Sequence, residues 1–309
     1  MKKRFNISAL IMATIVISLF FNSCKDEKAK EETILKGTAT ILVDESFKPV
    51  IEDQITIFES KYDAKINMIA KSEGEVIQAF LNDTSAIAIL SRTLTENEIN
   101  NFKARKILPK ITKIGKDAVA FIANKSSNDT LVALQDVISF MNGKKGTNIK
   151  GLVFDNPNSS SVRMINQLSG LKDLPQENVF SFKSTEEVVK FVAENDGMIG
   201  VIGINWLYQP TAAGKDYVNK IKAISVKGLK GDAYIAPTQN NIAEETYPLA
   251  RDLYIINCQG FSGLGMGFAS FVAGDVGQRI ILKSGLYPER IPGRKLIFKN
   301  KSQNDKENE

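Results

Sequence analysis

The chain has 309 residues, 40 basic and 35 acidic side chains for a formal charge of +5, 43% apolar residues, two cysteines and no histidine. Without imidazole, Ser/His/Asp and Cys/His triads, HExxH zinc sites, imidazole-ligated haem and a histidine general base are all excluded, which points away from most hydrolase chemistry. A Ser-based or carboxylate-based hydrolase is the remaining enzyme reading, but a Ser nucleophile would need Lys as its base and no SxxK motif stands in a suitable context, so no enzyme activity, metal or cofactor is expected. The basic excess is scattered, with no Lys/Arg cluster interleaved with aromatics, so nucleic acid is not an expected partner.

Met1-Lys-Lys-Arg4 opens the chain, and an apolar run from Ile7 to Phe21 follows, broken only by Ser8, Thr14 and Ser18. Such a run suits a signal-peptide core better than a bilayer span, which needs roughly 20 residues. It ends at Phe21-Asn-Ser-Cys24, directly before the charged stretch Lys25 to Glu32. This resembles a bacterial lipoprotein processing site, which implies that residues 1–23 are removed, that Cys24 carries lipid and that 24–36 is a tether. Loss of Lys2, Lys3 and Arg4 lowers the 40 basic side chains to 37 and the net charge from +5 to +2. Only Cys258 is then left, so no intramolecular disulfide can form, and its apolar surroundings (253–258) place it in a buried strand. Lys25-Asp-Glu27 also resembles a surface-export tag, with a merely soluble tether as the alternative.

Past the tether, short apolar runs alternate with amphipathic segments. Runs at 41–43, 65–70, 86–90, 118–123, 151–154, 198–202 and 223–226 read as strands buried on both faces. Between them, Val50, Ile51, Ile55, Phe58 and Tyr62 recur at helical spacing, as do Val76, Ile77, Phe80 and Leu81. Further stripes are Leu131, Leu134, Ile138 and Met141, then Val188, Val189, Phe191 and Val192, and one long final helix through Phe268, Phe271, Val272, Val276, Ile280 and Ile281. The alternation predicts an α/β fold with largely parallel sheets. Two lobes are expected: 37–117 plus 227–297, and 118–226, joined by two crossover strands at the 118–123 and 223–226 runs. Residues 298–309 read as a frayed tail. Gly260 to Gly267 lacks a P-loop ending and reads as a flexible loop, while Gly197, Gly200 and Gly203 mark close strand packing.

Open α/β sheets bind ligands outside the carboxyl ends of their strands, where helix N-termini present free N–H groups. Three junctions carry suitable residues. After 41–43, Asp44-Glu45-Ser46 precedes a helix that Pro49 tolerates in its first turn, with Ser46 as the expected cap. After 86–90 come Ser91 and Arg92, with Thr95 and Glu98 forming a capping box. After 151–154, Asp155 leads to Ser159, Ser160 and Ser161, whose hydroxyls and following N–H groups could hold a small anion with Arg163 in the first turn. The alternative there is a serine-rich turn with a single cap.

In order and at family-like spacing, several stretches resemble the phosphate-binding proteins of ABC transporters. They are Ser91-Arg-Thr-Leu with Glu98, Val119 to Asn124 before Leu134 to Ile138, Ser159-Ser-Ser161, Gly197 to Val201, Tyr247 to Tyr254, and Gly277-Gln278 with Gly285 and Pro288. The likeness spans Gly37 to about Ile297. It implies a two-lobed type II periplasmic binding protein fold, each lobe a mostly parallel sheet flanked by helices. It also implies an extracytoplasmic lipoprotein, facing the periplasm or the cell surface, that captures phosphate or a related oxyanion for an ABC permease. The alternative is a surface or sensory lipoprotein of the same fold that binds another ligand or a protein. The resemblance carries ligand contacts onto Asp44-Glu45-Ser46, Lys71 to Gly74 with Ser72, Ser91-Arg92, and Asp155 with Ser159 to Ser161. The family's proton-accepting Asp falls on Arg92 and its Arg on Asp155. The expectation is therefore an exchange of charge across the cleft, with Arg92 as guanidinium donor and Asp155 or Glu45 as acceptor. Asp44, Glu45 and Glu73 near the site favour a protonated oxyanion over sulfate.

Overall fold

The computed structural model describes residues 32–83 and 87–293. The leader at 1–23, Cys24 with most of the tether, and the tail at 298–309 lie outside the described residues.

β1 (Lys36–Asp44) runs into a 3-10 turn (Glu45–Phe47) and α1 (Lys48–Lys61), followed by β2 (Asp63–Lys71), α2 (Glu73–Asn82), β3 (Ile87–Leu90) and α3 (Glu96–Ala104). β4 (Lys110–Asn124) then leads into β5 (Leu131–Ala133), α4 (Leu134–Met141), β6 (Leu152–Phe154), α5 (Ser160–Ser169), β7 (Val179–Ser181) and α6 (Thr185–Glu194). Next come β8 (Ile199–Gly203), α7 (Asn205–Tyr208), α8 (Lys215–Val218), β9 (Ile221–Ala223), β10 (Ser225–Lys227) and β11 (Tyr234–Ile235). The described chain closes with α9 (Gln239–Ala243), β12 (Ala250–Asn257), α10 (Leu264–Ala273), α11 (Asp275–Lys283) and β13 (Tyr287–Pro288).

The main sheet has the order β2-β1-β3-β12-β4-β8-β6-β7. Each wing is parallel, with β2-β1-β3 on one side and β8-β6-β7 on the other. All four residues of β3 and all five of β8 are buried, as strands covered by helices on both faces must be. Every antiparallel pairing of this sheet involves β12 or β4. The first part of β4 pairs with β12, from Lys110 opposite Asn257 to Ala118 opposite Ala250, and Val119 to Asn124 pair with β8 and β9. β4 therefore belongs to both lobes, and the return passage lies beside it where Val119 N–H donates to the Leu249 carbonyl and the Tyr247 hydroxyl to the Val119 carbonyl.

Local differences from the sequence expectation have identifiable causes. The run at 223–226 divides into β9 and β10, because Ile224 N–H turns to the Phe121 carbonyl while Ser225 to Lys227 pair with β5. Leu131, expected on a helix face, is an exposed strand residue ahead of α4. The long final helix is two helices, broken at Gly274 in extended conformation. The glycine-rich stretch is not all loop, since Leu264 to Gly267 form the first turn of α10. A Cβ on Gly267 would lie 1.6 Å from the Ile34 carbonyl oxygen, so only glycine lets the N-terminal segment cross this helix. Gly200 is likewise required where a Cβ would come within 2.7 Å of Ile122. Cys258 is buried just beyond β12, and burial pushes its thiol up to about 12, which keeps it unreactive. Phe58, Tyr62, Phe268 and Phe271 pack at edge-on and tilted angles and fix α1 against α10.

Candidate functional site

The parallel strands β1, β3 and β6 end at Asp44, Leu90 and Phe154, so Asp44, Ser91 and Asp155 all reach the crevice between the lobes. Ser159 is the N-cap of α5, with its oxygen accepting from Val162 N–H, and Thr95 and Glu98 form the expected capping box on α3. Ser46 differs from expectation. It lies inside the 3-10 turn, where its N–H donates to Asp44 Oδ1, and α1 begins after Phe47 with Pro49 in its first turn and no side-chain cap. Its hydroxyl is thereby released toward the opposite lobe.

The inner part of the site is centred on that hydroxyl. Ser46 Oγ lies 3.1 Å from Ser160 Oγ, and Arg251 Nη1 donates to Ser160 Oγ at 2.9 Å. Arg251, from β12, is itself held by Asp117 of β4 through Nε and Nη2 at 2.9 and 2.7 Å, and its guanidinium stacks on the Phe47 ring at 5.2 Å. Burial opposes the charged form of Arg251, yet Asp117 and Asp44 keep it firmly protonated. Asp44 Oδ2 and Ser161 Oγ are buried without a hydrogen-bond partner among the described residues, although the Ser160 hydroxyl is near enough to Asp44 to favour its charged form. Asn205 lies near the Ser46 backbone, with an amide that has no partner among the described residues: a Cβ on Gly203 would meet its Oδ1 at 3.0 Å and the Ser46 carbonyl at 3.3 Å. Buried polar atoms of this kind are rare and call for a partner. Trp206 Nε1 donates to the Ser46 carbonyl across the lobe boundary at 3.1 Å.

A second cluster lies beside the first. Glu73, at the start of α2 and almost fully buried, accepts from Arg163 Nε at 2.5 Å, Arg163 Nη2 at 3.1 Å and Ser91 Oγ at 3.0 Å. Arg92 Nε stands 3.4 Å from the same carboxylate, while its two terminal nitrogens grip Glu98 at 2.8 Å each. Arg163 Nη2 also donates to Ser91 Oγ at 3.1 Å. One residue on, Gly74 N–H donates to the Asn158 carbonyl at 3.0 Å, so the two lobes touch through backbone as well.

The remaining carboxylates sit deeper in the second lobe or at the mouth. Asp155 accepts from the Ser159 and Thr185 hydroxyls, and Glu45 accepts from Thr185 N–H at 3.1 Å. Burial pushes Asp155 and Glu45 up to about 7, and burial followed by the nearby Glu73 charge pushes Asp44 up to about 6. Ser72 is the N-cap of α2, where Glu75 accepts from its N–H and hydroxyl. An outer cleft of about 300 Å³ opens between the lobes, lined by Lys48, Lys71 and Ser72 on one side and Lys183, Ser184 and Trp206 on the other. No group of three or more His, Cys, Asp or Glu with metal-binding geometry occurs among the described residues.

Ser46 and Ser160 therefore meet in the inner cluster, Ser161 follows them in the first turn of α5 with its hydroxyl buried and without a partner among the described residues, and Ser91, Arg92 and Arg163 meet around Glu73. Glu45 and Asp155 both accept from Thr185, Ser159 donates to Asp155, and Ser72 lies at the mouth. The sequence reading did not single out Arg251, Asp117 or Asn205. Arg251 could have been suspected as a lone cation entering an apolar strand, but its partner is 134 positions away.

A family model described as "PBP superfamily domain" matches residues 28–276. The phosphate-binding protein PstS of Staphylococcus aureus (strain USA300) is 28% identical over 235 residues, covering 72% of this chain and 68% of that protein. Solved structures that share the fold include the following two. One is a putative phosphate ABC transporter substrate-binding protein with bound phosphate from Clostridium perfringens, with TM-score 0.67, 20% identity, 82% of this chain and all of that one. The other is an ABC-type phosphate transport receptor from Vibrio cholerae, with TM-score 0.61, 18% identity and the same coverage.

Proposed function

The chain belongs to the PBP superfamily, and from that membership we propose that it captures phosphate, or a closely similar oxyanion, between its lobes and hands it to an ABC permease. The observation that carries this proposal is the inner cluster. Arg251, Ser46 and Ser160 offer one permanent positive charge and two hydroxyls at the start of α5, and Asp44 Oδ2 offers a buried acceptor without a hydrogen-bond partner among the described residues. Arg92 is committed to Glu98 and Glu73. We therefore give the guanidinium role to Arg251 and the role of proton acceptor to Asp44.

An unprotonated carboxylate repels a fully ionised oxyanion but accepts a hydrogen bond from one that keeps a proton. Phosphate retains a proton at neutral pH and sulfate does not, so Asp44 selects phosphate. No bond of the ligand is made or broken in this scheme; fixed donors bind it and lobe motion releases it. We assign the lobes as 37–117 plus the chain from about 238 onward, and 118 to about 237, because β10 pairs with β5 and β11 whereas Gln239 donates to the Leu282 and Leu286 carbonyls of the first lobe. The anchor is Cys24, with the folded part outside the cytoplasm. No helix among the described residues is long and apolar enough to cross a membrane. Cys24→Ala should release the chain from the membrane fraction.

Calorimetric titration of the purified chain with phosphate, sulfate, molybdate and tungstate tests the assignment. Phosphate should bind at least about tenfold more tightly than sulfate; no heat with phosphate would overturn it. One observation favours the alternative, a surface or sensory lipoprotein with a different ligand. The cleft holds five largely buried carboxylates, Asp44, Glu45, Glu73, Asp117 and Asp155, against three arginines, Arg92, Arg163 and Arg251, a poor balance for a divalent anion. Silence toward all four oxyanions would favour it.

A further inference from the structure

Glu73 is the most heavily engaged side chain in the cleft, and nothing in anion capture requires it. Its carboxylate receives both arms of Arg163 from the second lobe, the Ser91 hydroxyl and the edge of Arg92 from its own lobe, at 2.5 to 3.4 Å. Two guanidinium groups and a hydroxyl converging on one dehydrated site are the donor set expected around an oxyanion. Here the chain supplies the anion itself. Its position at the first residue of α2 adds the free N–H groups and positive end of that helix. The inner cluster is close enough for the Glu73 charge to act on both Asp44 and Arg251. An anion entering the inner cluster therefore meets Glu73 as a neighbouring negative charge.

We propose that Glu73 is an internal surrogate for the ligand. It occupies an anion subsite formed by Arg163, Ser91 and Arg92, ties the lobes together while the cleft is unliganded, and competes with the incoming oxyanion. The inference rests on the binding function proposed above for the choice of ligand, but the tie between the lobes does not depend on that choice. Binding requires the carboxylate to let go of Arg163, which frees a guanidinium and a hydroxyl for the ligand. A protein whose competent state is only fractionally populated binds more weakly by that fraction, so removing the competitor raises affinity.

Two measurements on Glu73→Gln test this, with Arg163→Gln as a second route to the same tie should the first variant fold poorly. Distance measurements between spin labels on exposed Lys61 and Lys145, one on each lobe, are made without ligand. Both variants should shift the distribution toward longer and broader separations. Calorimetric phosphate titration should show Glu73→Gln binding on the order of tenfold more tightly than the unmodified chain. Unchanged label distances in both variants would overturn the tie, whatever the ligand proves to be. Weaker phosphate binding by Glu73→Gln would overturn the competition and make Glu73 a positioning residue. An unmodified chain that ignores phosphate while the labels still separate would count against the proposed ligand and not against the tie.

Discussion

Replacing Arg251 with Met separates what this side chain does for the fold from what it does for the ligand. Arg251 and Asp117 are buried together, with side chains 6% and 0% exposed and nitrogen–oxygen distances of 2.7 and 2.9 Å. Burial already pushes the Asp117 carboxyl above the usual range despite Arg251. Taking away one partner of a buried pair costs about 3–5 kcal/mol, because the other charge stays in a medium that cannot solvate it. Asp117 can escape part of that cost by taking up a proton, which places Arg251→Met near the lower figure. The double variant Arg251→Met/Asp117→Leu removes both charges and should recover most of the lost stability. Chemical denaturation of the single and double variants gives the coupling directly. Phosphate titration should be silent in both, since neither has a guanidinium beside Ser160. Recovery of phosphate binding in the double variant would refute the assignment, and a single-variant loss under about 1 kcal/mol would refute the view that Asp117 depends on Arg251.

Three further outcomes are expected. Asp44, Glu45 and Asp155 have folded-state pKa values raised to about 6, 7 and 7, so the folded chain holds more protons than the unfolded one between about pH 4 and 7. The stability these three groups contribute should accordingly be complete at and below about pH 4 and be lost progressively as pH rises to 7. Thermal unfolding across that range checks the slope, and Asp155→Asn should flatten it; a melting temperature that climbs from pH 5 to 7 would contradict the sign. The single tryptophan, Trp206, is buried with its ring N–H on the Ser46 carbonyl of the other lobe. Its emission should change on phosphate titration, with Trp206→Phe giving no signal, whereas a constant spectrum at saturating ligand would mean that this contact does not move. Gly267→Ala forces a methyl group onto the Ile34 carbonyl and should cost about 1–3 kcal/mol or displace the N-terminal segment. Equal denaturation midpoints for the two proteins would show that the crossing yields freely.

Much of the fold was legible because its signals are local. Apolar runs such as 86–90 and 198–202 declare buried strands, and the capping chemistry of Thr95 with Glu98 and of Ser159 declares where two helices begin. Three of the loops that meet at the cleft could be named for the same reason, since each follows a strand. What lay hidden depends on partners distant in sequence. Arg251 is buried because Asp117 lies on the adjacent strand, and Arg163 turns to Glu73, 90 positions away. Ser46 could be placed at the cleft but not oriented, because whether it caps its own helix or faces Ser160 depends on the Asp44 carboxylate that takes its N–H. Leu264 to Gly267 looked like a loop because glycine disfavours helices in isolation; the close passage of Ile34 supplies the reason for glycine that no local pattern contains.

β4 is shared by both lobes without interruption from Lys110 to Asn124. Neither lobe can thus be cut out of the chain as an independent folding unit: any break between them removes a central strand from one sheet or leaves a bare edge on the other. Limited proteolysis should yield fragments that stay associated or unfold together, and the two halves are better regarded as a single cooperative body that twists than as beads on a string.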